Sequence, residues 1–103
     1  MIRVSVFYPN REGGRFDMDY YVKKHMPMVR QKLGAAVKGM TVEQGLSGGA
    51  PGTTATYVAV GQMLCESVEA FQAASSPHME AIMADIPNYT NLQPIIQIGE
   101  VKM

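Results

Sequence analysis

Apolar and polar side chains alternate from the start of the chain. Ile2, Val4, Val6 and Tyr8 are set against Arg3, Ser5 and Phe7, which predicts a β-strand over Ile2–Tyr8. Pro9 ends it, and the polar run 10–15 follows as a loop. From Phe16 the period changes. At about 100° per residue, Met18, Val22, Met26, Val29 and Leu33 fall on one stripe, the buried face of an amphipathic helix. Asp17 suits the N-cap, Phe16 and Tyr21 the two positions of a hydrophobic staple, and Asp19 the positive end of the helix dipole. Pro27 has no N–H and disfavours helical geometry at Met26. The helix is therefore predicted over Met18–His25, with a kink or restart at Pro27 and an end at Gly34.

A second strand is predicted over Ala35–Leu46, then a flexible loop over Ser47–Thr54 and a third strand over Ala55–Leu64. Ser67 suits the cap of a helix reaching about Ala74. Ser76 and Pro77 suit a restart that carries Met79, Ile82, Met83 and Ile86 inward until Pro87. Asn88–Asn91 reads as a loop and Leu92–Val101 as the last strand. The order βαββαβ over a single domain, residues 1–103, defines an α+β, ferredoxin-like arrangement: a four-stranded antiparallel sheet with helices on one face. The third strand is largely apolar on both faces. Helices cover only one of them, so a second copy packing sheet against sheet is expected, a homodimer.

Composition narrows the function classes. Nine basic and nine acidic residues leave no net charge, which speaks against an electrostatic nucleic-acid binder. One cysteine, Cys65, forms no internal disulfide and fits a reducing compartment. The opening MIRVSVFY lacks the features of a signal peptide, and no apolar run approaches the roughly 20 residues of a membrane span. The expectation is a cytoplasmic protein without membrane contact. Nine methionines serve as core fillers or line an adaptable pocket.

His25 is the leading chemical candidate. It lies at the edge of the helical stripe with Tyr21 one turn earlier, and histidine is the usual acid or base near neutral pH. The competing role is structural, a hydrogen bond to a backbone carbonyl near Pro27. Tyr8 and Tyr57 sit on strands, where register decides whether they line a pocket beside His25 or fill the core. Asp17 and Asp19 read as helix-start chemistry. Two histidines on different helices make no metal site. No phosphate loop and no dinucleotide fingerprint is present, so no cofactor is assigned.

The run FDMDYYVKKHMPMVRQKLG resembles the EthD family, named for ethyl tert-butyl ether degradation. The family pattern, hydrophobic-Asp-x-x-Tyr-Tyr-x-x-x-His-x-Pro, is carried here by Phe16, Asp17, Tyr20, Tyr21, His25 and Pro27. The resemblance implies a dimeric α+β barrel and a reductase or oxidoreductase label. With the residue reading it leads to an expectation of a mostly apolar pocket for a small hydrophobic or aromatic molecule. His25 and Tyr21 are the catalytic candidates, working by cofactor-free proton transfer, and Tyr8, Tyr57 and Tyr20 are candidates for substrate contact. The alternative is a non-catalytic accessory protein that binds such a compound.

Overall fold

A computed structural model describes all residues 1–103. Strand β1 (Ile2–Pro9) is followed by α1 (Met18–Tyr20), a π-helical turn (Tyr21–His25) and α2 (Met26–Leu33). A 3-10 turn leads to β2 (Gly39–Gln44), and a long loop to β3 (Tyr57–Cys65). Helices α3 (Val68–Ser75) and α4 (Met79–Asp85), each closed by a 3-10 turn, precede β4 (Ile95–Glu100). The sheet is antiparallel throughout, in the order β2-β3-β1-β4, the ferredoxin-like topology. No helix is long and apolar enough to cross a membrane.

The expected caps form. Asp17 accepts from the Tyr20 N–H at 3.1 Å, Ser67 accepts from the Ala70 N–H at 3.0 Å, and Phe16 packs edge-on against Tyr21 with ring centroids 5.0 Å apart. Gly34 closes α2 with φ at +59°, a conformation that favours glycine. Ser76 caps nothing. Its hydroxyl donates back to the Gln72 carbonyl at 2.7 Å, so the chain runs from α3 into α4 through a 3-10 turn rather than through a fresh N-cap. The second and fourth strands begin later than their apolar patterns suggest, at Gly39 and Ile95.

The helix does not break at Pro27. In an α-helix the proline ring meets the carbonyl four residues earlier. Here the preceding turn widens instead, with the Met26 N–H bonding to the Tyr21 carbonyl five residues back. The extra residue turns the upstream segment by about 100° relative to α2. Tyr21, not Val22, therefore continues the stripe of Met26, Val29 and Leu33. Tyr21 is 1% exposed and Val22 46%. His25 is carried from the edge of the stripe into the interior.

Register fixes the two faces of the sheet. Val4, Val6 and Tyr8 of β1 lie opposite Met63, Gly61 and Ala59 of β3, and Val4 and Val6 lie opposite Ile98 and Ile96 of β4. These point towards the helices and form two adjoining cores. One centres on Val4, Val29, Leu33 and Met63, the other on Tyr8, Tyr21, Met26, Tyr89 and Leu92. The opposite face carries Phe7, Val60 and Leu64, crossed by a polar strip in which Thr41 donates to Gln62 and Gln62 to Ser5 at 3.4 and 3.2 Å.

The shifted register has a direct consequence for stability. Val22→Lys is expected to leave the thermal midpoint within about 2 °C, as for an exposed site, whereas Tyr21→Ala should cost about 3–5 kcal/mol. Comparable losses in the two variants would contradict the π-turn register.

Candidate active site

His25 sits at the end of the π turn and its side chain is 5% exposed. Its Nδ1 lies 2.9 Å from Oδ2 of Asp85, the last residue of α4. The Asp85 carboxylate is held from three sides. The Tyr20 hydroxyl donates to Oδ1 at 2.7 Å, the Asn88 side-chain amide donates to the same oxygen at 2.9 Å, and His25 occupies the other. A carboxylate only accepts, so the His25 nitrogen facing it carries the proton and Nε2 is left as the basic atom. Nε2 faces the Tyr89 hydroxyl at 3.4 Å, and Tyr89 is bonded in turn to the Tyr8 hydroxyl at 2.7 Å. Tyr21 stacks on the His25 ring, the planes 13° apart and the centroids 5.5 Å apart.

These contacts shift the titrations in different directions. Burial pushes His25 below its ordinary value, partly offset by the hydrogen bond and charge of Asp85. For Asp85 burial acts upward, but the hydrogen bonds from Asn88, Tyr20 and His25 prevail and hold it below the usual carboxylate range. Burial raises Tyr8, Tyr21 and Tyr89, so all three phenols stay protonated throughout the neutral range. The hydrogen bond to Asp85 raises Tyr20.

The loop that supplies Tyr89 is stitched to the segment before α1. The Asp17 N–H donates to the Tyr89 carbonyl at 2.8 Å, the Thr90 hydroxyl donates to the Arg15 carbonyl at 2.6 Å, and Asn91 accepts from the Arg15 N–H at 2.9 Å. Two chain-distant pieces are thus locked together beside His25. Gly61 contributes by having no side chain: a Cβ there would overlap the Tyr21 hydroxyl.

An apolar cavity of about 80 Å3 lies between the inner sheet face and the helices, bordered by His25, Tyr8 and Tyr21 at one end. Fourteen of its 17 lining residues are hydrophobic, and four are methionines: Met26, Met63, Met79 and Met83. This space is well below the roughly 300 Å3 of a preformed drug-sized pocket. The cavity is bordered by Met79, Met83 and Ile96, which are 38%, 48% and 53% exposed, and it opens to the surface beside them.

Of the residues singled out from sequence, His25, Tyr21 and Tyr8 come together at this cavity. Tyr20 does not border it and acts on Asp85 from behind. Tyr57 is placed elsewhere. A bulge between Tyr8 and Pro9 shifts the register, and Tyr57 packs on Phe7 with ring centroids 4.9 Å apart, on the face of the sheet turned from His25. His25 bonds a carboxylate rather than the backbone carbonyl considered above. Sequence reading missed Asp85, Asn88 and Tyr89. One signal was available: an acid in the last turn of a helix faces the negative end of the dipole, and such a misfit asks for a partner elsewhere.

This arrangement belongs to a definable class, ferredoxin-like α+β domains with a polar cluster buried under the first helix. The EthD domain model matches residues 15–93, and the chain belongs to the EthD family. The solved structure of an EthD-like protein from Ralstonia eutropha JMP134 is 47% identical, covering 99% of this chain and 92% of that one, with a TM-score of 0.95. An EthD family protein from Bacillus halodurans C-125 shares the fold at 18% identity and a TM-score of 0.67, with 98% of both chains covered. A dimeric ferredoxin-like protein of unknown function from Thermobifida fusca YX shares the fold at 16% identity and a TM-score of 0.59, over 97% of this chain and 90% of that one. No functionally curated protein matches the chain significantly.

The His25 shift sets a pH dependence of stability. Its folded pKa is depressed below the ordinary 6.5, so the unfolded chain binds more protons as the pH falls past that value. Stability from this group is complete above about pH 6.5 and is lost as the pH falls through the folded pKa. Denaturant midpoints are expected to drop between about pH 7 and pH 5, and His25→Gln should flatten that drop. An equal drop in both proteins would contradict the assignment.

Proposed function

We propose that this protein acts on a small hydrophobic or aromatic molecule by proton transfer at His25 Nε2, without a cofactor, in a degradation pathway of the ether-breakdown type that the family name implies. The observation that carries this reading is a nearly buried imidazole, oriented by a carboxylate at 2.9 Å, on the border of an otherwise apolar cavity. Asp85 fixes which nitrogen is basic, burial keeps the ring neutral near pH 7, and low polarity around it strengthens its interaction with a developing charge. Tyr21 stacks on the ring and borders the same space, where its hydroxyl orients the substrate or shares its proton. The oxidoreductase label often attached to the family belongs to this proposal as a pathway setting; proton transfer is the step the residues themselves support.

A second reading is a non-catalytic protein that binds such a compound. It is favoured by one observation, that every buried side-chain polar atom already has a hydrogen-bond partner, as a purely structural cluster would. The two readings make opposite forecasts for the same variants. In a turnover screen against small ethers, phenols and ketones, His25→Ala and Tyr21→Phe should each lose activity by at least about 100-fold while keeping a cooperative unfolding transition. Unchanged turnover in both rules out the catalytic assignment, and saturable binding without product supports the second reading.

The same proposal includes assembly as a homodimer through the uncovered sheet face, where Phe7, Val60 and Leu64 stand outward. The dimeric relative of the same fold supports it. Light scattering on the same preparations should return twice the chain mass of 11.3 kDa, and a monomer at micromolar concentration contradicts it.

A further inference from the structure

Four polar side chains border the apolar cavity: Tyr8, Tyr21, His25 and Ser75. The first three stand together in the aromatic frame, Tyr21 packed between Tyr8 and the His25 ring. Ser75 stands apart from them. It is the last residue of α3, whose Phe71 and Ala74 pack on the core of Val4, Val29 and Leu33. Between Ser75 and Asp85, the residue that holds His25, the chain runs through a 3-10 turn and the whole of α4. Ser75 therefore marks the end of the cavity away from His25.

Ser75 is 3% exposed, yet its hydroxyl has no hydrogen-bond partner in the protein. The adjacent Ser76 differs, since its hydroxyl donates to the Gln72 carbonyl at 2.7 Å. Side-chain polar atoms that are closed off completely all have partners. An unpartnered hydroxyl on a buried residue is thus one that faces open space, and the space that Ser75 borders is the cavity. The fold gains nothing from this oxygen. Alanine is the better helix former and fills nearly the same volume, whereas a hydroxyl in an apolar wall without a partner carries a desolvation cost.

We infer that Ser75 is a second polar anchor of the binding site, holding a neutral oxygen of the ligand at the end of the cavity away from His25. This rests on the reading of the cavity as a binding site. It narrows the ligand to a mostly hydrocarbon molecule with a carbonyl, ether or hydroxyl oxygen remote from the group presented to His25. A serine hydroxyl donates one hydrogen bond and accepts others, so each of these oxygens fits it. A charged oxygen does not fit. No lysine, arginine, aspartate or glutamate lines the wall, and an ion desolvated there has no counter-charge. Between the two ends the wall is apolar, with Val29, Met63 and Ile82 along it. A ligand held at both ends cannot slide, which fixes the atom that faces Nε2. Met79 and Met83, flexible and partly exposed at the mouth, give way to a ligand larger than the resting space of about 80 Å3.

The test compares acetophenone with isopropylbenzene, molecules of nearly the same shape in which a carbonyl oxygen takes the place of a methyl group. Each is titrated into the unaltered protein, Ser75→Ala and Tyr21→Phe while the methyl resonances of Met63, Met79 and Met83 are followed. Ser75→Ala should keep or raise the thermal midpoint. It should also lower the affinity for acetophenone relative to isopropylbenzene about three- to tenfold, the worth of one net hydrogen bond. Tyr21→Phe, at the other end, should leave that relative affinity within about twofold of the unaltered protein's. A relative affinity that Ser75→Ala leaves unchanged, or that Tyr21→Phe lowers instead, overturns the inference and leaves the binding site standing. So does a midpoint that falls by more than about 4 °C in Ser75→Ala, the mark of a hydroxyl already bonded within the fold. Binding of neither probe to the unaltered protein overturns both.

Discussion

The structure turns on the hydrogen bond between His25 and Asp85. It joins the end of the π turn to the end of α4, 60 residues away in the chain, at 2.9 Å. With the Tyr20–Asp85 bond beside it, it links the first helical segment to α4 directionally in a mostly buried place. That location costs His25 some of its affinity for a proton, and Asp85 would be costly to bury without donors. Tyr20, Asn88 and His25 supply them. The same bond decides the chemistry, because it settles which imidazole nitrogen is free to accept a proton.

Around it the aromatic side chains form the frame. Tyr8, Phe16, Tyr21 and Tyr89 meet edge-on or tilted with centroids 4.9–6.0 Å apart, and His25 lies among them. Such pairs contribute about 0.5–1.5 kcal/mol each beyond their burial. The hydroxyls of Tyr8 and Tyr89 find their partners in the row from Tyr8 to Asp85. A core made of tyrosines rather than phenylalanines therefore carries a continuous hydrogen-bonded path from the sheet to the end of α4. The wide turn before Pro27 brings Tyr21 and His25 into this frame together, since an ordinary α-helical turn there would present Val22 instead.

Much of the fold was legible because it rests on local signals: alternation in β1, the caps at Asp17 and Ser67, and the element order that defines a ferredoxin-like sheet. The candidate site was legible by half. His25, Tyr21 and Tyr8 carried a readable pattern. Asn88 and Tyr89 did not, and Asp85 only by its misfit at a helix C-terminus, because their role depends on chain-distant contacts that no periodicity records. Pro27 was read as a break, since a proline removes a helical hydrogen bond; that the helix widens instead follows from tertiary packing of Tyr21 and Met26 on the sheet. Tyr57 was misplaced for a related reason. A single bulge reverses which face a strand residue occupies, and nothing in the sequence near Tyr57 announces it.

Asp85 holds His25 with its proton on Nδ1, leaving Nε2 basic. Nitrogen-15 NMR of the imidazole ring at about pH 7.5 measures this directly. An Nδ1–H resonance coupled to a protonated-type nitrogen shift is expected, with Nε2 showing the shift of an unprotonated ring nitrogen. A ring protonated on Nε2, the common form of free histidine, would contradict it.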